Sequence, residues 1–216
     1  MRFALSAAVV LVSAAVASAG TSFSLGFSNV TANSVTNAAS GETQLAVQVL
    51  DAGSGLADFR FTNTGADAMS IADIYFNNSP AVFLDLVSID DSHSGVSFSE
   101  GAAPPNPPGL SFGTAFKLDS DAGPGGVQGN GVNPGEWLTV RMSLLGGVTF
   151  ADLTDAFGNG LAIAIHVQGF ANGGSETFQT TPYDPNPGPM VPLPAGGALA
   201  FVGLGLVGAT RRRTLD

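Results

Sequence analysis

Hydrophobic and polar residues alternate with a period of two through most of the chain between residues 20 and 181. Successive side chains of a β-strand point to opposite faces, so this alternation is typical of strands with one buried and one solvated face. In one such stretch Phe59 and Phe61 share a face, and Arg60 points away from it. The strand candidates are residues 21–27, 43–51, 56–63, 70–78, 81–89, 136–145 and 161–170.

Short strands separated by glycine, proline, asparagine and aspartate predict an all-β fold. We expect an antiparallel β-sandwich of about seven to nine strands over residues 20–181. Two long segments lack the alternation and are predicted to be loops. Residues 99–109 carry four prolines, which cannot donate to a strand ladder, and residues 119–136 are rich in glycine.

One segment has a helical period instead. Phe150, Leu153 and Phe157 recur at intervals that place them on one face of a helix, and Thr149 is a suitable N-cap. The sequence therefore predicts a short crossover helix near residues 149–157.

Composition narrows the class of protein. The 216-residue chain is 44% hydrophobic and 11% charged, which is enough apolar material for one core. It has no cysteine, and this excludes disulfides, thiolate metal sites and a cysteine nucleophile. Residues 20–190 contain three basic and 16 acidic residues, a net charge of about −13. Such a charge disfavours nucleic acid as a partner.

The N-terminal segment, residues 1–19, has the parts of a secretory signal peptide. A positively charged start precedes the uncharged apolar run of residues 3–16. Ala17 and Ala19 then form the small-x-small pattern that signal peptidase requires, so we expect cleavage before Gly20. An uncut membrane anchor is the alternative. Export without cysteine suits a bacterial envelope protein.

The C-terminal segment combines a proline-rich spacer, a short apolar run and a basic cluster. The spacer is residues 182–190, and residues 196–210 carry no charge. As a helix that run would span roughly 22 Å, less than the roughly 30 Å of a bilayer core. Arg211, Arg212 and Arg213 follow at once and would stay on the cytoplasmic side. We expect transient insertion in the inner membrane; a buried core helix is the alternative.

Residues 191–216 resemble the PEP-CTERM sorting signal in its VPLPA variant. The motif residues are Val191, Pro192, Leu193, Pro194 and Ala195. The prolines fix an extended, non-helical backbone that a membrane protease can grip. The resemblance implies recognition by an exosortase-type enzyme, cleavage near the prolines, and release or transfer to the surface of a bacterium that makes exopolysaccharide. Leu193 stands where the parent motif has glutamate, so the motif does not identify which enzyme processes the chain.

Candidate catalytic groups are few. His93 lies in a predicted loop beside Asp90 and Asp91, and His166 lies on the predicted solvent face of its strand. Both are interpreted as polar surface histidines. A serine hydrolase needs a nucleophile and an oxyanion site, and the chain has no G-x-S-x-G elbow. Paired carboxylates of a glycoside hydrolase require a cleft that sequence does not reveal. We therefore predict no catalytic residues and no enzyme activity.

Two binding sites are candidates. Asp119 and Asp121 stand in a D-x-D-x-G order that suits calcium, although Asn130 occupies the position of the last EF-hand ligand. No other cofactor is expected. Trp137 is the only tryptophan, and its neighbour Leu138 is predicted to point inward. Trp137 then faces the other side of the strand, where it packs against a loop or serves as a platform for a sugar ring.

These features together indicate an exported cell-surface or matrix protein without catalytic activity. Its expected partners are signal peptidase, an exosortase-type enzyme and exopolysaccharide in a biofilm, and nucleic acid is not among them. Its expected location is an inner-membrane precursor that moves to the surface, the outer envelope or the medium. A carbohydrate-binding module is the alternative function, and a secreted hydrolase is the third.

Overall fold

Ten antiparallel strands and two helices form the part of the chain that the computed structural model describes, residues 21–120 and 129–183. The predicted all-β antiparallel class is confirmed. The strands are β1 Ser22–Asn29, β2 Leu45–Gly53, β3 Leu56–Asn63, β4 Ser70–Asn77, β5 Phe83–Asp90, β6 Ser99–Glu100, β7 Thr114–Asp119, β8 Trp137–Leu144, β9 Ile163–Gln168 and β10 Ser175–Thr180. The helices are α1 Val35–Gln44 and α2 Phe150–Gly158.

The signal peptide, the cleavage residues Ala17, Ala19 and Gly20, the sorting segment 191–216 and Asp121 lie outside the described residues. Within the described residues, no helix has the length and apolar character needed to cross a membrane.

Strand β1 joins two halves of one continuous sheet, whose order is β5-β8-β3-β2-β1-β10-β9-β4-β7-β6. Residues 22–26 of β1 pair with β2, and residues 27–29 pair with β10. We call the β5-β8-β3-β2 side half A and the β10-β9-β4-β7-β6 side half B. The inner faces of the two halves pack against each other. The rings of Phe59 in β3 and Phe76 in β4, for example, lie 5.3 Å apart, edge to face.

The core follows the alternation seen in the sequence. Phe59 and Phe61 are fully buried, and Arg60 between them is exposed. In β8 the inward residues Leu138 and Val140 are likewise fully buried. The edge-to-face pair of Phe59 and Phe76 adds about 0.5–1.5 kcal/mol beyond the burial of its area.

Helix α2 is the crossover helix that the sequence predicts. Thr149 caps it, and the Asp152 carboxylate accepts a 2.8 Å hydrogen bond from the Thr149 N–H, which completes a capping box. Leu153, Ala156 and Phe157 face the core.

Helix α1 was not predicted. Its buried face consists of Asn37, Gly41 and Gln44, which have helical spacing but no apolar side chain. Gly41 lies against the ring of Phe178 in β10, and a Cβ at this position would overlap that ring. The missing side chain therefore lets α1 pack directly on the sheet.

The turn before α1 is held by a buried acid. Glu176 in β10 is fully buried. Its carboxylate accepts hydrogen bonds from the backbone N–H groups of Asn33 (3.1 Å) and Ser34 (2.6 Å). It also accepts bonds from Asn29 Nδ2 (3.1 Å) and Thr31 Oγ1 (2.6 Å). Four donors thus satisfy one buried charge, as burial of a carboxylate requires.

Strand β1, near the start of the described residues, lies beside the last of them, Tyr183. The rings of Phe23 in β1 and Tyr183 are 4.8 Å apart, and the Tyr183 N–H donates to the carbonyl of Phe157. The compact unit that contains every element named above ends at Tyr183.

Candidate functional site

The outer face of half B carries a row of polar side chains across five strands. Cross-strand pairing aligns Thr177, His166, Asp73, Asp119 and Ser99, one from each of β10, β9, β4, β7 and β6. This row brings two carboxyl groups and a histidine to one level of the sheet.

A bulge in β4 puts Asp73 in this row. Ile71 pairs with Val167, whereas Asp73 pairs with His166, so Ala72 is an extra residue on the β4 side. The bulge lets Ile71 and Ile74, three residues apart, both face the core. That spacing is the sequence signal that could have located Asp73 on the outer face.

His166 and Asp73 form a buried pair. His166 Nδ1 lies 3.0 Å from Asp73 Oδ2, and the two residues are only 8% and 2% exposed. The amide nitrogen of Gln168 lies 3.3 Å from the same ring nitrogen. The predicted outward orientation of His166 is confirmed, but its interpretation as a surface histidine is wrong.

The proline-rich loop of residues 101–113 covers this face. Tyr75, which lies one level along β4 from Asp73, donates a 2.9 Å hydrogen bond from its hydroxyl to the Pro104 carbonyl. Burial, and then the charges of Asp73 and Asp119, raise the pKa of the Tyr75 hydroxyl, which keeps it protonated as a donor. Toward its other end the loop passes close to Thr31, since a Cβ at Gly109 would overlap the Thr31 methyl group.

The burial of this row decides its chemistry. A histidine and aspartate pair could take a proton from a substrate only if the substrate reached it. His166 and Asp73 have almost no accessible surface, so the arrangement suits a buried structural pair.

The calcium candidates are only partly described. Asp119 ends β7 and pairs with Asp73 across the strands, whereas Asp121 lies outside the described residues. Among the residues described, no three His, Asp or Glu side chains are grouped so that they could hold a metal ion.

The loop that carries His93 is organised by its own acids. Asp90 Oδ1 accepts from the Ser92 N–H at 3.2 Å, and Asp91 Oδ2 accepts from the Phe98 N–H at 3.0 Å. Hydrogen bonds from Ser92, and more weakly the charge of Arg60, lower the pKa of Asp90. These contacts fix a turn and assemble no catalytic group around His93.

Trp137 lies on the outer face of half A, the side predicted for it. The guanidinium carbon of Arg60 lies 4.4 Å from the centroid of the Trp137 ring. The ring of His93 approaches the same indole edge-on, with centroids 5.8 Å apart and an interplanar angle of 79°. Trp137 is half-buried, and Arg60 is exposed. The indole is therefore partly covered by two neighbours, as expected of a cation–π pair that orders an arginine.

A second arginine lies one level along the same face. Arg141 Nε and one terminal nitrogen donate to the two oxygens of Asp58 at 2.6 and 2.7 Å. This bidentate pairing raises the pKa of Arg141. Within the described residues, no carboxylate lies within 4.0 Å of Arg60. The sequence did not reveal that Arg141 is paired with a carboxylate whereas no described carboxylate pairs with Arg60, because the pairing depends on which strands are neighbours.

A groove beside α1 was also missed. It has a volume of about 450 Å³ and lies between the helix and the segments near residues 67 and 171. Its carboxylate, Asp67, already accepts a 2.6 Å hydrogen bond from Ser40 Oγ. Its walls come from three distant parts of the sequence, so no local pattern could indicate it.

The comparisons with known proteins add no family to these observations. No family model matches the chain, and no curated protein or solved structure matches it either.

Proposed function

We propose that this chain is an exported bacterial surface or matrix protein without catalytic activity, delivered by its two terminal signals. Signal peptidase removes residues 1–19, and an exosortase-type enzyme acts at residues 191–195. The mature domain then resides in or on an exopolysaccharide layer.

The observation that supports the proposal is where the described elements begin and end along the chain. Strand β1 begins at Ser22, two residues after the predicted cleavage position Gly20, and the compact unit ends at Tyr183. Every element of the described sheet therefore lies between the two predicted processing sites. Removal of both ends would leave the core contacts of the described residues in place.

The burial of the His166 and Asp73 pair supports a non-catalytic role. The pair is the acid–histidine contact that the described residues contain, and its two members are only 8% and 2% exposed. A hydrolase would need such a group at the floor of an open cleft.

Processing in a host that has the sorting enzyme tests the proposal. Mass spectrometry of the mature protein should give an N-terminus at Gly20 and a C-terminus near Ala195. Replacing both Pro192 and Pro194 with alanine should leave the C-terminal segment attached and the protein in the inner-membrane fraction. Replacing Pro187 with alanine is the matched control, because it changes a spacer proline outside the motif. Surface display of the doubly substituted chain with its normal ends would overturn the sorting proposal.

A further inference from the structure

We propose that the outer face of half A around Arg60 and Trp137 binds a polysaccharide that bears carboxylate groups, such as a chain of uronic acid residues. This proposal rests on the proposed function, because a matrix location is what presents such a chain to the protein.

Arg60 is held in position by Trp137, and its donors are unused within the part of the chain that the structure describes. Stacking on Trp137 at 4.4 Å fixes the guanidinium plane. Within the described residues no hydrogen bond or ion pair engages its five N–H groups. A planar arginine whose orientation is already set loses little side-chain entropy on binding and matches the two oxygens of a carboxylate.

The stack also determines how a sugar would bind. Arg60 covers one face of the indole and His93 lies against it edge-on, so Trp137 is a poor open platform for a sugar ring. Its role in this site is to position Arg60. The group that contacts the ligand is the guanidinium, which selects an acidic sugar over a neutral one.

The neighbouring charges leave Arg60 as the available cation on this face. Asp58 is already bound in bidentate fashion to Arg141. Asp90 accepts a hydrogen bond from Ser92, and the charge of Arg60 lowers its pKa only weakly, without an ion pair between the two within the described residues. The chain as a whole has a net charge of −10. Charges farther than about 8 Å are largely screened at physiological ionic strength, so distant acids weaken the approach of a polyanion only modestly.

The side chains around Arg60 favour a polysaccharide as the molecule that carries the carboxylate. Thr139 and Gln48 are its cross-strand partners on either side, and Thr62 follows on the same face of β3. Hydroxyl and amide groups at these positions pair well with sugar hydroxyls. The strands present them as an open face, where an extended chain can lie.

Binding measured by calorimetry on the purified full-length protein tests this. The probes are a linear uronic acid oligosaccharide and the same oligosaccharide with its carboxyl groups reduced to alcohols. The acidic form should bind at least about tenfold more tightly, since a charged bidentate contact is worth roughly that much. Arg60→Gln should weaken binding of the acidic form about tenfold to a hundredfold, and Arg60→Lys should restore only part of it.

Lys117→Gln is the matched control, because it removes one positive charge from half B and should leave affinity unchanged. Trp137→Leu should weaken binding while thermal unfolding shows that the variant is folded. Equal affinity for the two oligosaccharides, equal effects of Arg60→Gln and Lys117→Gln, or no binding by the wild-type protein would overturn the proposal. Processing at residues 191–195 is read out separately, so failure here is distinct from failure of the sorting proposal.

Discussion

The N–H of Ser34, the N-cap of helix α1, donates a 2.6 Å hydrogen bond to the carboxylate of Glu176 in β10, 142 residues away in sequence. This contact joins the N-terminal turn to the last strand. Because Glu176 also receives bonds from Asn29, Thr31 and Asn33, one buried charge organises the whole connection between β1 and α1.

Replacing Glu176 with glutamine should destabilise the fold by about 2–4 kcal/mol, since the substitution weakens several charge-assisted bonds and turns an amide N–H₂ toward other donors. Urea unfolding measures the change as a lower midpoint with an unaltered slope.

Glu42→Gln is the matched control for that substitution. Glu42 Oε1 accepts a single 2.9 Å bond from the Asn29 N–H at an exposed position. We expect a loss of at most about 1 kcal/mol there. Comparable losses of unfolding free energy in the two variants would show that the buried Glu176 stabilises the fold no more than the exposed Glu42 does.

Stability should fall at acid pH because of the same residue. Burial alone would raise the pKa of Glu176, but hydrogen bonds from Thr31, Asn29, Asn33 and Ser34 outweigh it and hold that pKa below its usual value of 4.5. A folded-state pKa below the unfolded value contributes stability above pH 4.5, and this stability is lost as the pH falls through the folded-state pKa.

Urea unfolding of the wild type and of Glu176→Gln at pH 7, 4.5 and 3 checks this dependence. The difference in unfolding free energy between the two proteins should be largest at pH 7 and should shrink toward pH 3. A difference that is independent of pH would contradict the assignment.

Tyr75→Phe should loosen the loop of residues 101–113 without unfolding the sheet. The substitution removes the 2.9 Å bond to the Pro104 carbonyl and keeps the ring. We expect a global cost of about 0.5–1.5 kcal/mol. Hydrogen exchange should accelerate at the amides of Gly101 and Leu110, which donate to the carbonyls of Lys117 and Pro107. Tyr183→Phe is the control, because Tyr183 packs near Phe23 and away from this loop. Unchanged exchange in Tyr75→Phe would mean that other contacts hold the loop.

The sequence predicts seven of the ten described strands and the crossover helix, because their signals are local. Strands β6, β7 and β10 were missed, and β6 lies within residues 99–109, which were expected to form a loop. In β3, Phe59 and Phe61 are buried and Arg60 between them is exposed, as the alternation of apolar and polar residues predicts. Thr149 and Asp152 form the capping box of α2. Local pattern suffices wherever one face of an element meets the core and the other meets water.

Prediction from the sequence fails where a segment distant in the chain changes the environment of a residue. His166 points outward as its strand pattern requires, yet it is buried and lies within hydrogen-bond distance of Asp73, 93 residues earlier in the chain. Helix α1 packs through Asn37, Gly41 and Gln44, so it lacks the apolar stripe that a hydrophobic pattern detects. The stack of Arg60 on Trp137 depends on the pairing of β3 with β8, which no local pattern gives.

Gly41→Ala should destabilise the protein although alanine is the better helix former. Propensity alone would favour alanine by about 1 kcal/mol, but the new Cβ would overlap the ring of Phe178, and such overpacking costs about 1–3 kcal/mol. We expect a net loss, measured by urea unfolding. Phe178→Leu in the same chain should recover part of it, so that the double variant loses less than the sum of the two single losses. Strict additivity, or a gain in stability for Gly41→Ala alone, would show that the helix does not rest on this ring.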